Sequence, residues 1–271
     1  MSPGQEDACS DKHGLLVVNA DDFGGNRLAS DRILHCFAAG GITSTSAMVY
    51  MSDSRRAAEL VRASGLPVGL HLNLTQEFED EATPAAVRSR QARARRHLSG
   101  QRLTRVAINP PLIPLIKRCI ADQLACFREL YGGEPTHIDG HNHVHLSPTV
   151  LLALPRGVAV RTADSNPEAQ PGLGTVIRRA RHRFIAHRQL STERFFAIDP
   201  VAASPTAMSI EALLANADSQ SVEVMTHPDR DRDYALLMSA QWLQALKRRT
   251  VGSFRDLPAR PARDDARLTP E

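Results

Sequence analysis

Short apolar runs alternate with stretches of helical spacing along most of this 271-residue chain, and that alternation limits its fold more than any other feature. Leu15–Val18 reads as a first strand. Arg27–Gly41 follows, with Ile33 and Phe37 at helical spacing and glycines where a helix would stop. Thr43–Val49, Pro67–Thr75, Thr136–His141, Gly157–Asp164, Arg194–Asp199 and Ser221–Pro228 read as further strands. Ser54–Gly65, Ile116–Gly133 and Ser239–Arg249 read as helices, and Gly252–Leu257 as a closing piece. Repeated strand–helix units imply parallel strands joined by right-handed crossovers. The fold class is therefore α/β, a distorted TIM-like (β/α) barrel of about seven parallel strands. In such barrels functional groups collect at the carboxyl ends of the strands.

One domain is expected over 15–258, between a polar tail at 1–14 and another at 259–271. The first tail lacks an apolar signal core, and no run approaches the roughly 18 apolar residues of a membrane span. Cys9, Cys36, Cys119 and Cys126 form no CxxC pair and read as reduced thiols of a cytoplasmic protein. A net charge of +3 is only mildly basic, and with aromatics at 4% base stacking has little to rest on. No nucleic-acid partner is expected. Two arginine-rich segments, near 88–105 and 178–194, interrupt the alternation. They read as solvated helix faces or loops, or as a lid or a surface drawn to an anionic substrate.

The chemistry-bearing residues cluster at the strand ends. The first strand runs into Asp21 and Asp22, two adjacent like charges that need a nearby cation to stay ionised together. In Gly69–Thr75, His71, Asn73 and Thr75 share one face and three leucines the other. His137, Asp139, His141, His143 and His145 share parity if that strand stays extended. Arg161 and His227 close two later strands, the latter just before a proline. An aspartate and two histidines from separate strand ends form the three-ligand set of a catalytic metal, with positions left open for water and substrate. A closed structural zinc site would want a fourth ligand, usually cysteine, and none is near. No GxGxxG follows the first strand, which removes dinucleotide binding. A metal-dependent phosphoesterase or a non-catalytic sugar-binding protein would suit the same residues.

Taken in order, the motifs NADDFG (Asn19–Gly24), GITSTSAMV (Gly41–Val49), VGLHLNLT (Val68–Thr75), THIDGHNHVH (Thr136–His145), Val160–Arg161, His227–Pro228 and SFRDL (Ser253–Leu257) resemble those of the YdjC family. It is also called the ChbG/HpnK family of carbohydrate deacetylases. The resemblance spans Leu15 to Leu257 and implies a NodB-like distorted barrel with one divalent metal ion. It implies removal of the acetyl group from an N-acetylated amino sugar, such as a chitooligosaccharide or a glycolipid headgroup. Carried over position by position, Asp22, His71 and His141 are the metal ligands. Asp21 is the general base, His227 the general acid, and Arg161 orients the base. Asn73, His143 and His145 are expected to contact substrate, with Asp139 supporting a ligand from behind. The family implies magnesium, whereas a carboxylate with two imidazoles suits zinc. A homodimer is implied at the family level. Gly140 stands where the family shows serine, Gly25–Asn26 where it shows leucine and serine, and Thr226 where cysteine is common. The ligand set is intact.

Overall fold

The computed structural model describes residues 14–99, 107–163, 172–198 and 210–258. Apart from Gly14, the two expected tails lie outside the described residues, as do Cys9 and the end of the first arginine-rich segment.

The described strands are β1 (Leu15–Phe23), β2 (Ser44–Ala47), β3 (Val68–Leu72), β4 (Ile138–Gly140), β5 (Arg194–Ala197), β6 (Ser221–Thr226) and β7 (Val251–Gly252). All pair parallel, in the order β4-β3-β2-β1-β6-β5. Strand β1 is central and buried on both faces, as its continuous Leu15–Val18 run requires of a parallel sheet. The lower half of β1, Leu16 and Val17, pairs with β7, while Asn19 and Ala20 pair with β2. The sheet curls into a half-barrel, and beyond β4 it continues only through isolated bridges, Ile138 to Val160 and Ala159 to Leu190.

Among the described residues, the strand expected at Gly157–Asp164 is only this pair of bridges. Its apolar stretch, Val158–Val160, is short, caught between the left-handed Gly157 (φ 79°) and the charge of Arg161. The following two expected strands are present as β5 and β6.

Helix α1 (Arg27–Ala38) starts where Asn26 Oδ1 accepts the Ala29 N–H at 2.9 Å. Helices α2 (Ser54–Val61), α3 (Ala85–Leu98), α4 (Ile113–Tyr131) and α5 (Pro148–Ala153) follow. Helix α4 stops at Gly132, whose φ of 73° suits a residue without a Cβ. The arginine-rich segments are α3 and α6 (Leu173–Arg188). In α3, Val87, Gln91, Ala94 and Leu98 face inward, and Arg90 forks onto Asp122 of α4 at 2.7 and 2.9 Å. The last helices are α7 (Ile210–Ala215), α8 (Asp231–Leu237) and α9 (Ala240–Lys247). Cys36, Cys119 and Cys126 are buried free thiols, and burial pushes them up to about 12, 11 and 11. Among the described residues no helix is long and apolar enough to cross a membrane.

Candidate active site

The site begins with an irregularity in β1. Asn19 and Ala20 face Ser44 and Thr45 of β2, but Phe23 faces Ala47, so Asp21 and Asp22 together oppose the single residue Ser46. This is a β-bulge, which re-aims side chains at a strand end. Asp22 takes the left-handed conformation, φ 68°, unusual for a residue with a Cβ. The two carboxylates therefore leave the chain in different directions.

Asp22 turns toward the histidines. Its Oδ1 lies 3.2 Å from His71 Nε2 and 3.1 Å from His141 Nδ1, and its Oδ2 lies 3.8 Å from His227 Nε2. His71 is held from behind, since its Nδ1–H donates to Asp139 Oδ1 at 2.7 Å. A carboxylate behind a histidine fixes the ring and aims the other nitrogen, a common support for metal-binding imidazoles. Burial pulls the His71 imidazole down, but the charges of Asp139 and Asp21 outweigh it and hold its pKa well above the ordinary value. For Asp22, burial is overcome by the hydrogen bonds of His141 and His71, which keep the carboxyl far below the usual range. One oxygen and two imidazole nitrogens thus converge, and Asp22, His71 and His141 have the donor chemistry to hold a divalent ion.

Asp21 turns inward to Arg161, which is fully buried. Arg161 Nη1 donates to Asp21 Oδ2 at 2.7 Å and Nη2 to Oδ1 at 2.6 Å, a bidentate pair. Arg161 Nη2 also meets Asp139 Oδ2, and Nε donates to Glu223 Oε1, each at 2.7 Å. Oδ1 of Asp21 additionally accepts from Asn19 Nδ2 at 2.9 Å and Ser46 Oγ at 3.2 Å. Burial raises the Asp21 pKa, but Arg161 more than reverses this and the carboxyl sits below its ordinary value. Glu223 differs. Arg161 is shared among three carboxylates, burial prevails, and its pKa rises to about 8. Asp21, His71 and Asp139 also lie close enough to form a second donor set, but the guanidinium already spans the two carboxylates.

A cleft of about 300 Å³ opens above these residues, with Asp21, Asp22, His71, His141, His143 and His227 in its wall. A neighbouring cleft of about 420 Å³ shares Asn142 and His143 and also touches Thr75 and Ser99. Two residues expected at the substrate are placed elsewhere. Asn73 is fully buried, and its Oδ1 accepts the Thr75 and Gln76 N–H groups at 3.2 and 2.9 Å. His145 is fully buried behind the cleft. The shared parity expected from His137 to His145 ends at Gly140, because Asn142 and His143 are both left-handed, φ 55° and 54°, within a 3-10 turn. Glu223 escaped the sequence reading, although a lone glutamate in the apolar run Val222–Met225 was its signal. So did Ser46 and Asn19, which read as ordinary strand residues.

A family model described as YdjC-like protein matches residues 15–249. The chain belongs to the YdjC-like family. A chitooligosaccharide deacetylase of Klebsiella pneumoniae is 33% identical over 224 residues, covering 79% of this YdjC-like chain and 81% of the relative. A human carbohydrate deacetylase is 38% identical over 141 residues, half of this chain (50%). The chain spans 42% of the length of that human relative and 44% of its mouse counterpart. Among solved structures, an Enterococcus faecalis protein described as a proposed cellobiose-phosphate cleavage protein superposes with a TM-score of 0.63 at 21% identity. The match covers 89% of the YdjC-like chain and 97% of that protein, and it speaks for the fold alone.

Proposed function

We propose that this YdjC-like chain is a metal-dependent hydrolase that removes the acetyl group from an N-acetylated amino sugar. The observation that carries this is the split at the β1 bulge: Asp22 joins His71 and His141, while Asp21 stands beside them, ionised by Arg161. Asp22, His71 and His141 would hold one divalent ion, which when bound lowers the pKa of water and polarises the acetyl carbonyl. Asp21 then serves as general base. Its Oδ1 is occupied by three donors, whereas Oδ2 receives Arg161 Nη1 and keeps a lone pair for the proton of the attacking water. Arg161 holds that carboxylate in plane and charged. His227 serves as general acid, because an amine is too basic to leave without a proton. Asp139 keeps the His71 ring turned so that Nε2 faces Asp22. The products are acetate and a free amino sugar.

The guanidinium between Asp21 and Asp139 supports one ion rather than the pair, about 3.5–4 Å apart, of a two-metal phosphoesterase. The donor set favours zinc on softness, and the family resemblance favours magnesium. The second cleft supports a substrate longer than one sugar, and the names of the relatives support a chitooligosaccharide. The buried thiols support a reducing compartment such as the cytoplasm. The test is an acetate-release screen over N-acetylated mono- and oligosaccharides with magnesium, zinc, manganese or cobalt added. Metal-dependent acetate, matched by new amine, is expected. No acetate from any such sugar under any metal, or phosphate released from a sugar phosphate instead, would overturn the proposal.

A further inference from the structure

Taking His227 as the proton donor proposed above, we infer that Arg32 of α1 is its positioning residue, and that α1 thereby sets the distance between the Asp22 bulge and the acid. The need for such a residue comes from His227 itself. Its Nδ1 is buried and makes no hydrogen bond, so no side chain steers the ring from behind. Where the ring sits depends on the backbone of 227–231, which leaves the sheet at the end of β6. Pro228 favours an extended His227 but donates no hydrogen bond of its own.

Arg32 supplies what holds that backbone from the outside. Its Nη1 donates to Pro228 O at 3.3 Å and Asp229 O at 3.0 Å, the carbonyls just after His227. Its Nη2 meets Asp231 Oδ1 at 2.7 Å. The guanidinium lies 4.7 Å from the centre of the Tyr234 ring, and the Tyr234 hydroxyl bonds His35 Nδ1, one turn further along α1, at 2.6 Å. From the other side, Asp233 Oδ2 accepts the His227 N–H at 2.8 Å, and the Arg230 N–H closes the turn onto His227 O at 3.0 Å. The Asp231 side chain is 93% exposed, so that ion pair adds little, and the two carbonyl bonds are the ones that set position.

The same half of α1 is tied to the metal-ligand turn through Ser30, two residues before Arg32. Gly25 N–H donates to Asp22 O at 3.0 Å, and Gly24 N–H to the buried Ser30 Oγ at 3.1 Å. One helix therefore grips both the turn that carries Asp22 and the turn that carries His227, whose side chains stand 3.8 Å apart.

Arg32→Met keeps the aliphatic stem and removes the donors, and Arg32→Lys keeps one charge. Hydrogen exchange on the full chain should show the His227 and Arg230 amides exchanging about ten-fold faster in Arg32→Met. Amides of β1 should not change, and Arg32→Lys should recover part of the protection. With divalent metal added, kcat on an N-acetyl sugar should fall about ten-fold, while KM and metal affinity stay within two-fold. kcat on a nitrophenyl acetate, whose leaving group needs no proton, should fall less than two-fold. Unchanged exchange, or equal losses on amide and ester, would overturn the role of Arg32. A wild-type chain that releases no acetate would instead overturn the reading of the site, and the exchange measurement would still decide whether Arg32 holds the turn.

Discussion

Asp21 and Asp22 carry the same side chain, and one backbone rotation gives each a different partner. Their variants should therefore separate. Asp22→Asn removes a charge from the donor set, so metal affinity should fall and excess metal should restore part of the activity. Asp21→Asn leaves that set alone, so metal should bind normally while turnover drops ~10²–10⁴-fold without rescue, the usual loss of a general base. Metal titration and turnover on the same preparations check both, and rescue of Asp21→Asn by metal would reverse the assignment. His71 gives a second test. Its pKa is raised well above the ordinary value, so a proton competes with the ion for Nε2 near neutral pH. Metal affinity should rise with pH, by up to about ten-fold per unit, with proton release visible by calorimetry in buffers of different ionisation enthalpy. That an aspartate and two histidines gather at one rim was legible in the sequence, because topology brings the ends of the apolar runs together, and the family resemblance picked out Asp22, His71 and His141. The environment of Asp21 was less legible. A nearby cation was expected for the pair and Arg161 was expected to orient Asp21. That this guanidinium neutralises Asp21 inside a buried cluster was hidden, because Glu223, which grips Arg161, looked like any strand residue.

At the level of elements, the turn after β4 shows where sequence pattern loses its hold. Period-two reasoning placed five side chains from His137 to His145 on one face, but it fails once Asn142 and His143 turn left-handed, and nothing local announces that. Gly140 is part of the cause. A Cβ there would stand 2.8 Å from His145 N and 3.0 Å from its Nδ1, so the turn packs onto the space a side chain would fill. Gly140→Ala should displace the turn that carries His141, costing about 1–3 kcal/mol as overpacking does. It should also weaken metal binding. Thermal unfolding and metal titration check this, and an unchanged midpoint would mean the turn yields freely. The two arginine-rich segments, read as solvated helix faces or loops, or as a lid, contain the helices α3 and α6. The inward row of α3 stayed hidden, because Gln91 bonds Gln76 O and Arg90 beside it bonds Asp122, partners distant in sequence.

For the molecule as a whole, the buried histidines set the response to acid. Burial lowers His137 to about 4 and His145 to about 3, so both stay neutral in the folded protein. Unfolding frees them to protonate near 6.5, so their stabilisation is complete above pH 6.5 and is lost as pH falls toward 4 and 3. Each contributes roughly 1.4 kcal/mol per pH unit over that range. Glu223 opposes them. Its folded value near 8 lies above the ordinary 4.5, so its contribution is full below 4.5 and is lost as pH rises through 8. Between pH 6.5 and 4.5 the three leave a net loss of roughly 1.4 kcal/mol per unit on acidification. Unfolding midpoints across that range should fall, and Glu223→Gln should steepen the fall about two-fold. A flat profile in the wild-type chain would show that these histidines are not held neutral.

The central position of β1 also bears on how the chain is made. Its partners β6 and β7 begin at Ser221 and Val251, so the apolar Leu15–Val18 run emerges from the ribosome long before these two strands that pair with it. At ~5–20 residues per second, β1 waits on the order of 10–40 s for β6. During that interval Leu15–Val18 is a sticky segment on a nascent chain, and the Asp21–Asp22 pair just after it supplies the charge that discourages premature strand pairing.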